Sequence, residues 1–355
     1  MIALLGERDE PIDAVRDYCE YLAEALARRG ITLEFEEVRW KRGWARSLRQ
    51  LRSQSRAWRG QWVLVQYTSL AWSRRGFPWR FLEVLRILRG NRARCGVVFH
   101  EWTPATGHRV RDLVRARFQG IIMRRAFHNA ERSVFTTPLE HIAWLPRPAP
   151  SAAFIPIGAN CPAMQAPRDL SADGSPRRVG VFGITGSGRT SREVADIASA
   201  MRILRQRIGP TSLIVMGRGV EVARPALENE LAGSGVELQV SGILPQGEIA
   251  QRLASCDVML FVRGEISNQR GSALAGVACG LPVAGYRGPN TCFPITEAGV
   301  ELAPLNDRAA LAEALCRALQ SRPCWRELHE RSRRAYADFF SWDRIAERYA
   351  AVFCE

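Results

Sequence analysis

The sequence predicts an α/β protein built as two doubly wound domains. Three observations carry that expectation. Short apolar runs alternate with amphipathic helical patterns from end to end, which implies parallel sheets covered on both faces. The chain has 355 residues, long for one hydrophobic core. The alternation breaks once, at 147–176, "RPAPSAAFIPIGANCPAMQAPRDLSADGSP", a stretch rich in Pro, Ala and Ser that reads as a last strand followed by a linker.

Taken in order, Ile2–Leu5, Thr32–Val38, Trp62–Gln66, Cys95–Phe99 and Ser133–Thr136 are apolar enough for strands. The amphipathic stretches Ile12–Arg28, Ala45–Trp58, Trp79–Leu88 and Val110–Phe127 separate them as helices. Ala153–Ile157 is the apolar island in the break. A second series follows, with strands at Arg178–Phe182, Ser212–Met216, Glu237–Val240, Val258–Val262 and Pro282–Gly285. Helical patterns lie at 190–206, 221–232, 246–254, 271–279 and 307–320, and the tail 325–355 reads as two amphipathic helices. The expected boundaries are 1–158 for the first domain, 159–176 for the linker, 177–335 for the second domain and 336–355 for a terminal helix. A ligand is expected in a cleft between the two sets of strand C-termini.

Composition narrows the function. Hydrophobic content of 46% and charged content of 24% suit a globular enzyme. No apolar run is long enough for a membrane span, and the N-terminus lacks the pattern of a signal peptide. The expected location is cytoplasmic, with peripheral attachment to the inner face of the membrane. Nine cysteines without a C-x-x-C pair read as reduced core thiols. The net charge of +14 is concentrated in 41–150, which holds 22 basic against 5 acidic residues. There, arginines interleave with tryptophans at helical spacing. That fits an anionic membrane surface over 41–132, and equally an arginine-rich solvated face whose stems cover apolar surface. No nucleic-acid motif accompanies it.

Glycine-rich turns end several strands of the second series. In "FGITGSGR", Gly183, Gly186, Ser187, Gly188 and Arg189 lie between a strand and a helix start. Backbone N–H groups there favour an anion, although the spacing matches neither the dinucleotide fingerprint nor the phosphate loop of nucleotide hydrolases. Gly217 and Arg218, then Gly242, Ile243 and Leu244, end the next two strands on the same edge. Each is also explained by ordinary turn chemistry. The stretch 265–285, "EISNQRGSALAGVACGLPVAG", places Arg270, Gly271 and Ser272 at the start of a small-residue helix. The unpaired N–H groups of that start, the Ser272 hydroxyl and the Arg270 charge suit a diphosphate.

Together these pieces resemble the retaining GT-B glycosyltransferases of the family 4 type, also described as glycosyl transferases group 1. The resemblance runs through "PIDAVRDYCEYLAEALARRG", "VVFHEWTP", "FIPIGAN", "VSGILPQGEIAQRLASCDVMLFV", "ACGLPVAG" and "FSWDRIAERYAAVF". It implies two Rossmann-like domains facing a cleft, with C-terminal helices crossing back to the first. The family usually carries a pair of glutamates before the Gly-Leu-Pro turn; here those positions are Ser267 and Ala275. Glu265 lies nearby, and a sub-group with an Arg-Gly-Ser loop in place of the glutamates is the better likeness. Arg189 fits the lysine of the family's basic phosphate pair, while the arginine position falls near Ile184–Thr185.

The resemblance further implies transfer of a sugar from a nucleoside diphosphate sugar to a glycan or polyprenyl-diphosphate-linked acceptor, with retention, in polysaccharide or glycolipid synthesis. Neither a cofactor nor a metal is expected. Arg189, Arg270 and the helix start would stabilise charge on the leaving diphosphate. His100 and Glu101, at a strand end of the first domain, would face the reacting sugar; the alternative is a hydrogen-bonded structural histidine. Asp13, Ala14 and Tyr67 are acceptor-side candidates. Two further readings stay open: a non-catalytic nucleotide- or sugar-binding protein of the same shape, and a nucleotide-sugar epimerase.

Overall fold

The computed structural model describes residues 1–7, 14–105, 107, 109–164, 169–170, 175–185 and 190–354. The chain divides into two compact units, Met1–Pro156 with Ile345–Glu355, and Ile157–Arg344.

The first unit holds a six-stranded parallel sheet. Its strands are β1 (Ile2–Gly6), β2 (Glu34–Val38), β3 (Trp62–Tyr67), β4 (Arg94–Phe99), β5 (Arg132–Phe135) and β6 (Ala152–Phe154), in the order β2-β1-β3-β4-β5-β6. Helices α1 (Ala14–Ala27), α2 (Trp44–Gln54), α3 (Arg80–Gly90) and α4 (Val110–Asn129) connect them. β1, β3 and β4 are near-continuous apolar runs because both faces are covered. Gly96 of β4 makes room for the ring of Phe353, from the terminal segment that belongs to this unit.

The second unit holds another parallel sheet: β7 (Arg177–Phe182), β8 (Thr211–Met216), β9 (Glu237–Ser241), β10 (Val258–Glu265), β11 (Val283–Arg287) and β12 (Val300–Pro304). Their order is β12-β11-β10-β7-β8-β9. The chain winds outward from β7 to β9, returns, and winds the other way from β10 to β12. The reversal leaves a crevice at the C-terminal ends of β7 and β10, the place where doubly wound sheets bind ligands. Helices α5 (Thr190–Ile208), α6 (Val220–Leu231), α7 (Gln246–Ala254), α8 (Gly271–Ala278), α9 (Arg308–Ala318) and α10 (Arg322–Ala335) cover the two faces, and α11 (Trp342–Phe353) closes the chain. Small side chains let α8 lie close on β10: a Cβ at Gly276 would overlap Met259 Sδ at 2.5 Å.

Two details depart from the sequence reading. β12 is an additional edge strand at 300–304, where Glu301 and Pro304 break the apolar run. β10 runs on to Glu265 rather than ending at Val262, with its register to β11 shifting between Phe261 and Glu265. None of the nine cysteines is in a disulfide, and six of them are buried.

Candidate functional site

The crevice of the second unit is assembled from the loops after β7, β8, β9 and β10. Gly183 sits in the left-handed region at φ 80°, and a Cβ there would lie 3.2 Å from Arg263 Nη1. Its N–H donates to Met216 O at 2.8 Å, and the Ile184 N–H donates to Arg218 O at 2.9 Å. The Gly217 N–H donates to Gly242 O at 2.9 Å, so the three glycine turns named from the sequence form one hydrogen-bonded rim. Gly217 is also fixed sterically, since a Cβ would meet the Phe182 ring at 2.9 Å. Ile243 is exposed on this rim and Leu244 half-buried. Gly186, Ser187, Gly188 and Arg189 lie outside the described residues. Ile184, near the place where the resemblance puts an arginine, is buried in the core.

The loop after β10 is held just as firmly. Glu265 accepts from Asn290 Nδ2 at 2.6 Å and from the Asn290 N–H at 3.0 Å. A Cβ at Gly288 would overlap Glu265 Oε2, so glycine there admits the carboxylate. Thr291 Oγ1 donates to Ile266 O at 2.6 Å, and Asn268 bridges Phe293 O and the Ile295 N–H. Ser267 is buried, and its carbonyl accepts the Arg270 N–H at 3.0 Å as the chain turns into α8. Gly271 and Ser272 open α8 half-buried, with Arg270 exposed before them. Gly264, at φ 80°, lies beside the Arg270 guanidinium. Ala275 is fully buried.

Glu265 and Arg270 also line a cavity of about 380 Å³ together with Arg192, Glu193, Asp196, Val262, Gly264, Tyr286, Leu305 and Asn306. Its acidic wall is structured. Asp196 accepts from Tyr286 Oη at 2.9 Å and from Arg308 Nε at 2.8 Å, and Glu193 accepts the Thr185 N–H at 2.7 Å. Burial, then the Asp196 carboxylate, pushes the Tyr286 phenol well above its ordinary range. The sequence reading missed Arg263, Glu193, Asp196 and Tyr286. Arg263 left a usable trace, a full charge directly after the apolar run of β10; the others carried none.

In the first unit, His100 follows β4 and is half-buried. Its Nε2 lies 2.8 Å from Gln66 Oε1, and its ring meets Tyr18 edge-on at 4.9 Å. Gln66 Nε2 donates to Leu64 O at 3.1 Å. That leaves Oε1 as the acceptor and assigns the proton to His100 Nε2. Glu101 accepts the Ser69 N–H at 2.7 Å, pinning the turn after β3. Tyr67 is fully buried against Phe81 and Phe99, which makes its ring part of the core. Ala14 is exposed at the first residue of α1, and Asp13 lies outside the described residues. Among the described residues no group of three or more His, Cys, Asp or Glu is placed to hold a metal.

Residues 180–321, the greater part of the second unit, match the family model described as glycosyl transferases group 1. The fold is GT-B. A glycosyltransferase from Rickettsia africae aligns with TM-score 0.69 and 12% identity over 99% of this chain and 97% of that one. Sucrose-phosphate synthase from Thermosynechococcus elongatus gives 0.66 and 18% over 99% and 98%. HepE of Anabaena, solved in complex with UDP, gives 0.66 and 14% over 99% of each chain. No curated protein matches the sequence significantly. On this GT-B frame, the β7–β10 crevice lies inside the matched segment.

Proposed function

We propose that the protein transfers a glycosyl group from a nucleoside diphosphate sugar to a glycan or lipid-linked acceptor, with retention at the anomeric carbon and without a metal. One observation carries the reading. The part of the chain that matches group 1 glycosyltransferases contains the sheet's reversal point, the glycine rim after β7, β8 and β9, and the cavity that Glu265 and Arg270 line. The UDP held by the structurally similar HepE supports a nucleotide donor.

When the glycosidic bond to the diphosphate breaks, negative charge grows on the leaving phosphate. Fixed cations and helix N–H groups stabilise that charge without reorganising. Arg270 and the first N–H groups of α8 are the groups assigned that role here, with Arg189 as a third. Glu265 is assigned to hydroxyls of the donor, and His100 to the sugar or the acceptor. Retention assigns the acceptor's proton to the departing phosphate, so no protein nucleophile is required.

Turnover of nucleoside diphosphate sugars, followed as release of the diphosphate with and without a chelator, tests the reading. Activity that survives the chelator and falls about 100-fold or more in Arg270→Ala, in line with the loss of one transition-state cation, supports it. A second reading rests on Ser267 and Ala275, both buried and neither a carboxylate. It makes the protein a binder of nucleotide or sugar without turnover. Tight diphosphate binding with no transfer to any acceptor favours that alternative.

The acceptor side suggests work at a membrane. Val110, Leu113 and Val114 on one side of α4 are 77%, 60% and 56% exposed. Arg109 and Arg111 flank them in the strongly basic segment. An apolar face rimmed by arginine fits an anionic lipid surface and a lipid-linked acceptor. No described helix is long and apolar enough to cross a membrane.

A further inference from the structure

Resting on the donor reading above, we infer that Arg263 reads the terminal phosphate of the donor and makes the site select diphosphates over monophosphates. The position is peculiar for an arginine. It lies near the end of β10, where the preceding five residues are apolar and buried. Its side chain is half-buried. Nε is buried and has no hydrogen-bond partner, and among the described residues no carboxylate pairs with the guanidinium. Nη1 reaches toward Gly183 at the end of β7, close enough that a Cβ there would stand 3.2 Å away. The guanidinium therefore lies across the mouth of the crevice that the sheet's reversal opens.

A desolvated guanidinium donor without an acceptor opposes folding. Such a cost is tolerated where a ligand supplies the missing acceptor, and the planar fork of arginine matches a phosphate with two parallel hydrogen bonds. Gly183 presents a bare backbone at φ 80°, and the nearby Arg218 carbonyl is already engaged by the Ile184 N–H. Arg270 approaches from the next loop, beside Gly264. Two cations are thus assigned to a diphosphate: Arg270, from the loop after β10, beside the start of α8, and Arg263, from β10 itself, beside the loop after β7. A monophosphate reaches one of them and a diphosphate both.

The test uses the full chain, wild type, Arg263→Ala and Arg263→Lys, with calorimetric titration of UDP, GDP, UMP and GMP. The expected result is that wild type prefers the diphosphate by about tenfold or more, as one charge-assisted phosphate contact allows. Arg263→Ala should lose that preference while monophosphate affinity stays within about twofold, and Arg263→Lys should recover part of it. Without ligand, Arg263→Ala should unfold at the same temperature as wild type or higher, because an unpaired buried donor has been removed. Equal loss of diphosphate and monophosphate affinity in Arg263→Ala would show a structural role and overturn the inference. So would an unchanged preference. If wild type binds no nucleotide while its unfolding is normal, the donor reading itself fails and takes this inference with it; binding that is intact but indifferent to Arg263 leaves the donor reading standing and removes only the role of Arg263.

Discussion

The hydroxyls of Tyr18 and Tyr349 meet at 2.8 Å in a fully buried site, joining the first helix of the chain to the last. A residue near the start and one near the end are thereby packed in the same unit, although most of the sequence lies between them. Removing one hydroxyl leaves a buried partner short of a hydrogen bond, which costs about 1–3 kcal/mol. Tyr349→Phe should therefore lower the denaturation midpoint. The double change Tyr18→Phe with Tyr349→Phe should cost less than the sum of the two single changes. Strictly additive losses in a double-mutant cycle would show that the hydroxyls act independently.

The same burial sets an alkaline limit. Desolvation raises Tyr18, Tyr67 and Tyr349 well above the ordinary tyrosine value of about 10. A folded pKa above the unfolded one contributes stability that is complete below the unfolded pKa. It is lost as pH climbs from there toward the folded value. Each buried tyrosine should then remove up to about 1.4 kcal/mol per pH unit above pH 10. Titration followed by tyrosinate absorbance should show a delayed cooperative step that coincides with loss of the fold. Ionisation of all six tyrosines near pH 10 with the fold intact would contradict the burial argument.

Gly288→Ala should disable the donor loop without reaching the donor. The added methyl would occupy the place of Glu265 Oε2 and pull the carboxylate from Asn290. Turnover should fall toward that of Glu265→Ala, by about 100-fold if Glu265 holds a transition-state contact. Steady-state kinetics of the two variants checks this. Full activity in Glu265→Ala would remove the residue from the mechanism.

How legible the molecule was depends on which forces placed each part. Strands buried on both faces, such as Val258–Phe261, announce themselves as apolar runs, and the glycines at their ends mark where the chain turns. The rim of Gly183, Gly217 and Gly242 followed from that pattern alone. Partnerships far apart in sequence did not. Nothing local to Glu265 signals that Asn290 claims both carboxylate oxygens, or that Gly288 is bare to admit it. Nor does "FVRGE" show that the strand carries on past its arginine: the shifted register to β11 extends it to Glu265. Tyr67 misled for the complementary reason. A strand-end tyrosine looks available for a ligand until the rings of Phe81 and Phe99 enclose it.

The exposed face of α4 gives a separate expectation. Replacing Val110, Leu113 and Val114 with serine should reduce flotation with phosphatidylglycerol vesicles and leave turnover of a water-soluble acceptor unchanged. High salt should weaken wild-type binding, because exposed charges are screened within about 10 Å at 0.1 M. Equal flotation of wild type and the triple variant would show that this face does not meet lipid.

The proposed function requires that a nucleoside diphosphate lie in the second unit, with its phosphates at the crevice between β7 and β10. A crystal structure with UDP or GDP bound tests it most directly. Phosphate density is expected at the start of α8, within hydrogen-bond reach of Arg270 and Arg263 and beside the backbone at Gly183. A nucleotide seated elsewhere, with both arginines directed away from its phosphates, would contradict it.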